Sequence, residues 1–392
     1  MKKRNSLEGN RIQCAIRDIL SGQKLKRNHG MLKNLKHTSY DKKILILYMI
    51  DPFTHKIEQP LHVNVEQSVI IANIFSALGY NIDIADCANE YEFDLEGYDI
   101  VFGFGRNFDR AARESNAYTI AYLTGASPYW SNQAELYRLK AFQKRTGATI
   151  KLRRQVGSWD LYAGVKTDAA ICTGNKWTES TWKGIYEKIF TINNQGLGRN
   201  ACNRVQRNLI KAKRGFCFFS GSGNLHKGLD LILECFRELQ EFDLYIATPM
   251  DSDFSQVYSD MLARENVHVL GKINVESEEY LNMCQSCLFS ILVSCSEGQA
   301  SSVATTMYSG MIPIITKECG IDIIENENGF YVHSIEIEQL TRQIKEIADL
   351  PNEMLAEISE NVKTRAKIFH SLENFENQFG NAVKQILNDK NN

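Results

Sequence analysis

The stretch from Leu288 to Pro313 places a buried strand, a polar loop and a helix in immediate succession. Its opening letters, LFSILV, form a short apolar run that is typical of a strand covered on both faces in a parallel sheet. The loop that follows is rich in small polar residues and carries one carboxylate, Glu297, and we expect Ser301 and Ser302 to cap the helix. A second apolar run begins at Ile312. This unit predicts an α/β sheet whose ligand crevice lies at the loop.

The same alternation of apolar runs and helical periods occurs in two halves of the chain, beginning at Lys43 and again at Gly215. Because 392 residues exceed the ~250–300 residues at which single cores stop growing, the halves are expected to be separate Rossmann-like, doubly wound α/β domains. The expected divisions are a basic extension over residues 1–40, a first domain over 41–195, a linker over 196–213, a second domain over 214–368 and a C-terminal helix over 369–392 that packs back on the first domain.

Basic residues are unevenly distributed, although the net charge is only −2. Residues 1–40 hold ten Lys or Arg against two Asp or Glu, and apolar residues from Ile12 to Leu20 recur there at helical spacing. Two further stretches, 138–154 and 199–214, contain no acidic residue. Each stretch alone is typical of a solvated face, but together they favour attraction to an anionic membrane surface, at about 1 kcal/mol per basic residue. No nucleic-acid-binding signature accompanies them.

The ten cysteines are scattered, mostly within apolar runs, which indicates buried free thiols in a reducing compartment. The CxxC pair Cys284–Cys287 has no second pair and no histidine at ligand spacing, so a metal site is not expected. Neither a secretory signal nor an apolar stretch long enough to span a bilayer is evident. We therefore expect a cytoplasmic protein, with peripheral attachment to the inner membrane face as the role of the basic stretches.

Two loops have the components of a ligand site. The loop GSGNLHKG, which follows the strand beginning at Gly215, offers small residues whose amides can point outward, Lys227, and the positive end of a helix. Its spacing is not that of a P-loop. In the first half, Gly103 and Gly105 end a strand, but the dinucleotide fingerprint lacks its third glycine because Phe108 stands there. This second loop is interpreted as a turn where a substrate can approach the backbone.

The second half resembles the family-4 retaining glycosyltransferases, which have the GT-B fold. The family's SG(R)…KG loop is matched by Ser220–Gly228, and its S..EG(F)G….EA…G..P motif is matched by Ser294–Pro313. The segment Gly320–Val332, GIDIIENENGFYV, resembles the family's following G(I)PE(I)I..(G).NG..V segment. The likeness covers residues 215–385, whereas the first half matches only in layout.

The resemblance implies a nucleotide-sugar donor in the second domain, with its diphosphate on Lys227 and its sugar hydroxyls on Glu297, the two expected catalytic residues. It implies retention of the anomeric configuration, no metal, and no cofactor beyond the nucleotide-sugar co-substrate. The acceptor, a glycan or lipid-linked saccharide, would enter from the first domain. The expected donor-binding residues are Gly221, Ser222, Gly223, Lys227, Glu297, Gly298, Gln299, Ala300, Ser301 and Thr305, and the expected acceptor-side residues are His62, Gly103, Gly105 and Arg106.

Two positions depart from the family pattern. Thr305 stands where the second Glu of the E-x7-E motif would contact the ribose, and the arginine near the diphosphate is replaced by Ser222 or Gly223. The preferred hypothesis is a hexosyl-type glycosyltransferase of surface polysaccharide or cell-envelope glycan synthesis. The departures leave open a catalytically impaired GT-B-like scaffold subunit of a glycan-assembly complex. A sugar-nucleotide epimerase would require acid/base carboxylates in the cleft that the sequence does not identify.

Overall fold

The computed structural model describes residues 30–55, 62–88, 94–156 and 167–391. They form two β-sheets, one of seven strands in the order β1-β3-β2-β4-β5-β6-β7 and one of six in the order β10-β9-β8-β11-β12-β13. All neighbouring strands are parallel except β1 and β3. The helix predicted between Ile12 and Leu20 lies outside the described residues.

The strands follow the apolar runs of the sequence. Those of the first sheet are β1 (Met31–Leu32), β2 (Lys42–Tyr48), β3 (Tyr80–Asp86), β4 (Ile100–Gly103), β5 (Tyr118–Leu123), β6 (Ala169–Thr173) and β7 (Ile189–Ile192). Those of the second are β8 (Gly215–Phe219), β9 (Asp243–Ala247), β10 (Val267–Val269), β11 (Phe289–Leu292), β12 (Ile312–Ile315) and β13 (Phe330–Tyr331). Strand β1 lies within residues 1–40, so part of the predicted basic extension is an edge strand of the first sheet.

Helices cover both sheets, as buried parallel strands require. In the first half they are α1 (Asp51–Thr54), α2 (Val63–Ala77), α3 (Arg106–Glu114), α4 (Pro128–Thr146) and α5 (Lys176–Ser180), followed by the short α6 (Arg199–Cys202) and α7 (Leu209–Ala212). In the second they are α8 (Leu229–Glu238), α9 (Ser252–Val257), α10 (Ser259–Leu262), α11 (Glu278–Ser286), α12 (Ser301–Tyr308), α13 (Ile337–Ala348), α14 (Asn352–Phe369) and α15 (Leu372–Asn391).

The order of the strands fixes where each sheet opens a crevice. In the second sheet the order reverses between β8 and β11, so helices leave these two neighbouring strands toward opposite faces. In the first sheet the reversal lies between β2 and β4. Ligands of open α/β sheets bind outside the carboxyl ends of the strands at such a switch point. The loops after β8 and β11 and the loops after β2 and β4 are therefore the candidate site regions.

Helix α4 crosses from the first half of the chain onto the second core. Its Phe142 is fully buried and packs on Phe254 and Tyr258, at centroid distances of 6.5 and 6.2 Å. The chain beyond α4 continues on the same surface, where Ile150 is buried in the second core. Because burying a large apolar side chain contributes about 1.5–3 kcal/mol, these contacts hold the two halves together.

Helix α15 returns to the first sheet at the end of the chain. Its Phe379 is fully buried and lies against Phe75, Phe102 and Tyr122, at centroid distances of 6.3, 5.6 and 6.1 Å. Apolar residues recur along it at the spacing of one helical face, so one side of the helix is buried against the sheet. The last element of the chain therefore completes the core of the first domain.

The nine cysteines that the structure describes are free thiols, and all except Cys87 are buried, which confirms the prediction for this part of the chain. Burial raises the pKa of Cys172 and Cys319 to about 12, so these thiols are inert packing groups. None of the described helices has the length and apolar content to cross a membrane.

Candidate functional site

An ion pair joins the two loops that leave the second sheet at its switch point. The Lys227 ammonium, in the loop after β8, donates a hydrogen bond to Oε1 of Glu297, in the loop after β11. Their side chains are 8% and 11% exposed, so the pair is shielded but reaches solvent. The Ser294 hydroxyl donates to the same carboxylate oxygen at 2.6 Å. The structure thus brings together the two residues expected to be catalytic, at the crevice where a ligand is expected.

The charge state of Glu297 is set by its neighbours. Burial by itself would raise the pKa of this carboxyl group, but Lys227 and other nearby cations outweigh burial and lower it to about 2. Glu297 is therefore a carboxylate at any working pH. A fixed carboxylate accepts hydrogen bonds and donates none, which suits it to hold hydroxyl groups or to stabilise a developing positive charge.

The loop after β8 is held open on its outer side. Gly221 is exposed, and no atom of the described part of the chain lies within 4 Å of the position of a Cβ there, whereas Ser222 is half-buried. The Gly221 carbonyl is held by the Thr248 hydroxyl at 2.9 Å. Gly228 ends the loop in the left-handed region, with φ of 79°, and packs on Val293 of the neighbouring strand end. Helix α8 therefore starts at Leu229, two residues after Lys227, and directs its positive end at the crevice.

A buried histidine lies directly behind the ion pair. The Nε2 atom of His226 donates to the Ser296 carbonyl at 2.7 Å, so its Nδ1 atom is unprotonated when the ring is neutral. Among the residues that the structure describes, this Nδ1 atom has no hydrogen-bond partner, and it lies 4.0 Å from Oε1 of Glu135 on helix α4. Burial lowers the pKa of His226 to about 3, which keeps the ring neutral.

The residues after Glu297 contact the first domain. The Ala126 amide donates to the Glu297 carbonyl at 3.0 Å, and the Thr178 hydroxyl donates to the Gly298 carbonyl at 2.7 Å. A Cβ at Gly298 would lie 2.7 Å from the Cα of Gly125, so only glycine allows this approach. This loop is therefore part of the boundary between the two domains as well as of the crevice.

The side chains of Gln299 and Thr305 form hydrogen bonds with the segment that links the domains. Gln299 accepts from the Asn194 amide at 2.7 Å and donates to the Asn193 side chain at 2.7 Å. The Thr305 hydroxyl, on a residue that is 2% exposed, accepts from the Leu197 amide at 2.9 Å and donates to the Ser301 carbonyl at 2.7 Å. In this structure both side chains thus join the domains rather than face the crevice.

The start of helix α12 differs from the expectation. Its capping residue is Ala300, which is buried and provides no side-chain cap, so the prediction that Ser301 and Ser302 cap the helix is wrong. Both serines lie inside the first turn and are half-buried. Because no side chain caps the turn, the first amides of α12 are left for water or a ligand.

The four residues expected on the acceptor side divide into two kinds. Gly103 and Gly105 lie against the backbone of Leu47 and Cys87, where a Cβ would collide with a carbonyl oxygen, so their close packing has a structural reason. Arg106 is exposed at the start of α3. His62 caps α2 by accepting the Asn64 amide at 3.2 Å. Burial, followed by the charge of Arg154, lowers the pKa of His62 to about 4, and Lys227 is among the further causes. His62 is therefore within the electrostatic influence of Arg154 and Lys227.

The comparisons with known proteins agree with this geometry. Residues 203–365 match the family described as glycosyl transferases group 1. The second domain therefore resembles that of the group 1 glycosyltransferases. Within this family match lie both Lys227 and Glu297, and the chain as a whole has the GT-B fold. No curated protein matches the chain over its sequence.

Solved glycosyltransferase structures share the fold at low sequence identity. Sucrose-phosphate synthase from Thermosynechococcus elongatus has a TM-score of 0.60 at 13% identity, over 89% of this chain and 100% of that chain. WaaG, a glycosyltransferase involved in lipopolysaccharide biosynthesis, has a TM-score of 0.57 at 12% identity, over 87% and 99%. TarM has a TM-score of 0.51 at 15% identity, and the chain covers 54% of its length. At these identities the likeness shows the fold.

Most of the basic residues of 138–154 contact the second domain instead of forming one surface. Arg138 donates to the Val293 carbonyl at 2.6 Å, and Arg145 pairs with Asp230. Arg153 pairs with Asp253 at 2.9 Å. The exposed basic residues of this stretch are Lys140, Lys144 and Lys151. This stretch therefore offers fewer exposed cations to an anionic membrane surface than the sequence indicates.

Sequence reasoning missed the place of three residues around the candidate site, namely Glu135, Arg154 and His226. Glu135 and Arg154 come from the first half of the chain, and nothing in their local pattern indicates that helix α4 crosses to the second domain. Glu135 is 1% exposed although charged. His226 lies in the loop GSGNLHKG, where a lone histidine is usually structural, so the sequence assigns it no role. Its place directly before the motif lysine was the available signal. Among the described residues, no group of three or more His, Cys, Asp or Glu could hold a metal ion.

Proposed function

We propose that this chain transfers a sugar from a nucleotide-sugar donor to a glycan or lipid-linked saccharide acceptor, in the synthesis of surface polysaccharide or another cell-envelope glycan. The donor occupies the crevice of the second domain, and the acceptor enters from the first domain near His62. The transferred group is a hexosyl group, the configuration is retained and no metal is used. The reaction takes place in the cytoplasm.

The observation that carries this proposal is the ion pair of Lys227 and Glu297 at the switch point of the second sheet. Two oppositely charged side chains that are only 8% and 11% exposed provide both charges that the transfer needs. The ammonium can pass from Glu297 to the phosphate of the departing nucleotide, and the carboxylate is then free to hold the sugar hydroxyls. Fixed charges of this kind act where charge develops, which is commonly the largest contribution to catalysis.

The family match over residues 203–365 supports the donor class, and one structural neighbour is solved with related ligands. Alr3699/HepE from Anabaena is in complex with UDP and glucose. The likeness to HepE covers 88% of this chain at 11% identity, with a TM-score of 0.57. Uridine nucleotides are therefore the first donors to test.

The first experiment is a thermal-shift panel of UDP-, GDP-, ADP- and CMP-sugars with the full chain. A bound donor raises the melting temperature by mass action, and 100 times the Kd adds about 2.7 kcal/mol to stability. A stabilising sugar nucleotide is then incubated with candidate acceptors, and the product is followed by mass spectrometry. NMR of its anomeric proton tests retention, and activity in EDTA tests metal independence. The absence of a shift with every sugar nucleotide would refute the proposal.

The second candidate function is a catalytically impaired scaffold subunit of a glycan-assembly complex. Its specific support is the contact between the loop after β11 and the first domain, in which Gly298 lies against Gly125 and Gln299 is bonded to Asn193 and Asn194. These contacts fill space next to Glu297. A scaffold would show no shift in the panel and would instead bind an assembly partner or an oligosaccharide.

A further inference from the structure

The crevice of the second domain lacks a cation at one position. Ser222 and Gly223 stand where the resemblance described above implies an arginine beside the diphosphate. Lys227 is paired with Glu297, so the charge of this pair alone is balanced. A diphosphate carries negative charge on both phosphate groups, and one balanced pair offers it little net attraction. A donor site therefore requires a further cation from elsewhere in the chain.

Arg154 of the first domain lies against this loop. A Cβ built on Gly223 would be 2.6 Å from Cγ and 3.0 Å from Cδ of Arg154, so the arginine stem passes directly over the glycine. Gly223 has a φ of 95°, a backbone conformation that favours glycine. The absence of a side chain at position 223 is therefore what admits an arginine from the other domain.

The backbone that carries Arg154 is firmly held. The buried carboxylate of Glu135 accepts the amides of Arg153 and Arg154 at 3.1 and 3.0 Å and the Gln155 side chain at 2.8 Å. Asn132 holds the Val156 amide at 2.8 Å. Because these bonds involve backbone amides and neighbouring residues, the Arg154 side chain is not needed to keep the segment in place.

The guanidinium of Arg154 is available for a ligand. In the ranges that the structure describes, no carboxylate forms an ion pair with it, whereas Arg153 beside it is paired with Asp253. Arg154 is half-buried. Its charge also acts within the crevice, since it is among the cations that lower the pKa of Glu297 to about 2.

We propose that Arg154 supplies the second cation of the donor site, so that the diphosphate is held between Lys227 of the second domain and Arg154 of the first. This inference rests on the proposed function and deepens it. Donor binding then depends on the docking of residues 148–156 on the second domain, to which Arg153 contributes through Asp251 and Asp253. The site is thus assembled from both domains.

Calorimetric titration of the full chain tests the proposal. The probes are UDP, GDP and ADP, and the one that binds is compared with its monophosphate and its nucleoside. Because a hydrogen bond to a charged group contributes about 1.5–3 kcal/mol, Arg154→Ala should weaken diphosphate binding about 10–100-fold. Nucleoside binding should not change. Lys151→Ala, which removes an exposed charge from the same segment, should bind as the unmodified chain does.

A second variant separates a ligand contact from a structural role. Adding Ser222→Arg to Arg154→Ala returns an arginine to the position of the related family and should restore diphosphate binding at least tenfold. Arg154→Gln keeps the stem over Gly223 without the charge, and it should bind as weakly as Arg154→Ala. If the unmodified chain binds a diphosphate and Arg154→Ala binds it equally well, the inference is wrong while the proposed function stands. If no nucleotide binds the unmodified chain, both fail.

Discussion

Two ion pairs lie three residues apart at the start of helix α8 and have different surroundings. Lys227 pairs with Glu297, and both belong to the second domain and reach the crevice with side chains 8% and 11% exposed. Asp230, only 1% exposed, pairs with Arg145 of the first-domain helix α4, beside Tyr258. The comparison teaches that burial and charge alone do not identify a catalytic pair. The surroundings of each pair decide its role. The Lys227–Glu297 pair borders a crevice, whereas the Arg145–Asp230 pair lies in a packed domain boundary.

The largest expected effect is on stability, at the boundary pair. Arg145→Ala leaves the Asp230 carboxylate buried without this partner, and breaking a buried pair in this way typically costs about 3–5 kcal/mol. Urea denaturation should show this loss, with Lys144→Ala, an exposed neighbour on the same helix, as the control. A loss no greater than that of the control would mean that the pair does not stabilise the domain boundary.

The crevice pair should respond in the opposite way. The double variant Lys227→Met/Glu297→Gln removes both charges together, and replacing a whole ion pair is often nearly neutral for stability. Transfer should fall by about 100–1,000-fold, since fixed charges at a reaction centre contribute about 2.7–4 kcal/mol. The measurements are the initial rate with the donor found in the panel and the melting temperature. A rate equal to that of the unmodified chain would place the chemistry elsewhere.

The same comparison shows what the sequence can reveal. The loops of Lys227 and Glu297 could be predicted as ligand-binding because each follows a buried strand of a doubly wound sheet, whereas the roles of the two residues come from the family resemblance. Arg145 and Asp230 could not be paired in advance, because their contact depends on α4 leaving the first sheet for the second core. The sequence of α4 does not indicate which core the helix covers, because the residues that it buries include the polar Asn132, Glu135 and Arg138.

Errors of detail in the site have a similar origin. Ser301 and Ser302 have the residue type of a helix cap, yet the helix begins one residue earlier than expected and Ala300 takes the capping position. The family motif predicts that Thr305 lies beside the ribose of the donor. The motif could not predict that the Thr305 hydroxyl accepts a hydrogen bond from the Leu197 amide, because this contact depends on how the linker packs against the second domain. Local chemistry was predictable, whereas contacts made across the two domains were not.

Thr305 provides the third test, because it was expected to bind the donor together with Glu297 yet is hydrogen-bonded to Leu197 of the linker. Thr305→Val removes the acceptor of the Leu197 amide, and an unsatisfied buried donor costs about 1–3 kcal/mol. Thr305→Ser keeps the hydroxyl and should lose less. Thr305→Glu should lower the melting temperature without raising donor affinity, because position 305 is only 2% exposed. If Thr305→Glu tightened donor binding in the calorimeter, Thr305 would lie at the ribose after all.

The smallest expected effect is on the pH dependence of stability, in which the buried histidines differ from the crevice ion pair. Glu297, with its pKa lowered to about 2, keeps its charge down to that pH, so the crevice pair does not titrate above pH 4. Burial lowers the pKa of His370 to about 4, and its Nδ1 atom bonds to the Asn194 carbonyl at 2.9 Å. Because the unfolded chain binds a proton near pH 6.5 and the folded chain does not, stability is complete above pH 6.5 and falls as the pH decreases toward 4.

Replacing His370 should therefore weaken the dependence of the unfolding free energy on pH. His370→Gln should reduce the slope of the unfolding free energy by up to about 1.4 kcal/mol per pH unit between pH 6.5 and 4, the value for one proton. Urea denaturation at pH 4.5, 5.5, 6.5 and 7.5 would measure it, with His333→Gln at an exposed position as the control. Burial lowers the pKa of His226 and His62 in the same direction, so a slope should remain in the variant. An unchanged slope in His370→Gln would mean that His370 takes up its proton in the folded chain as readily as in the unfolded one.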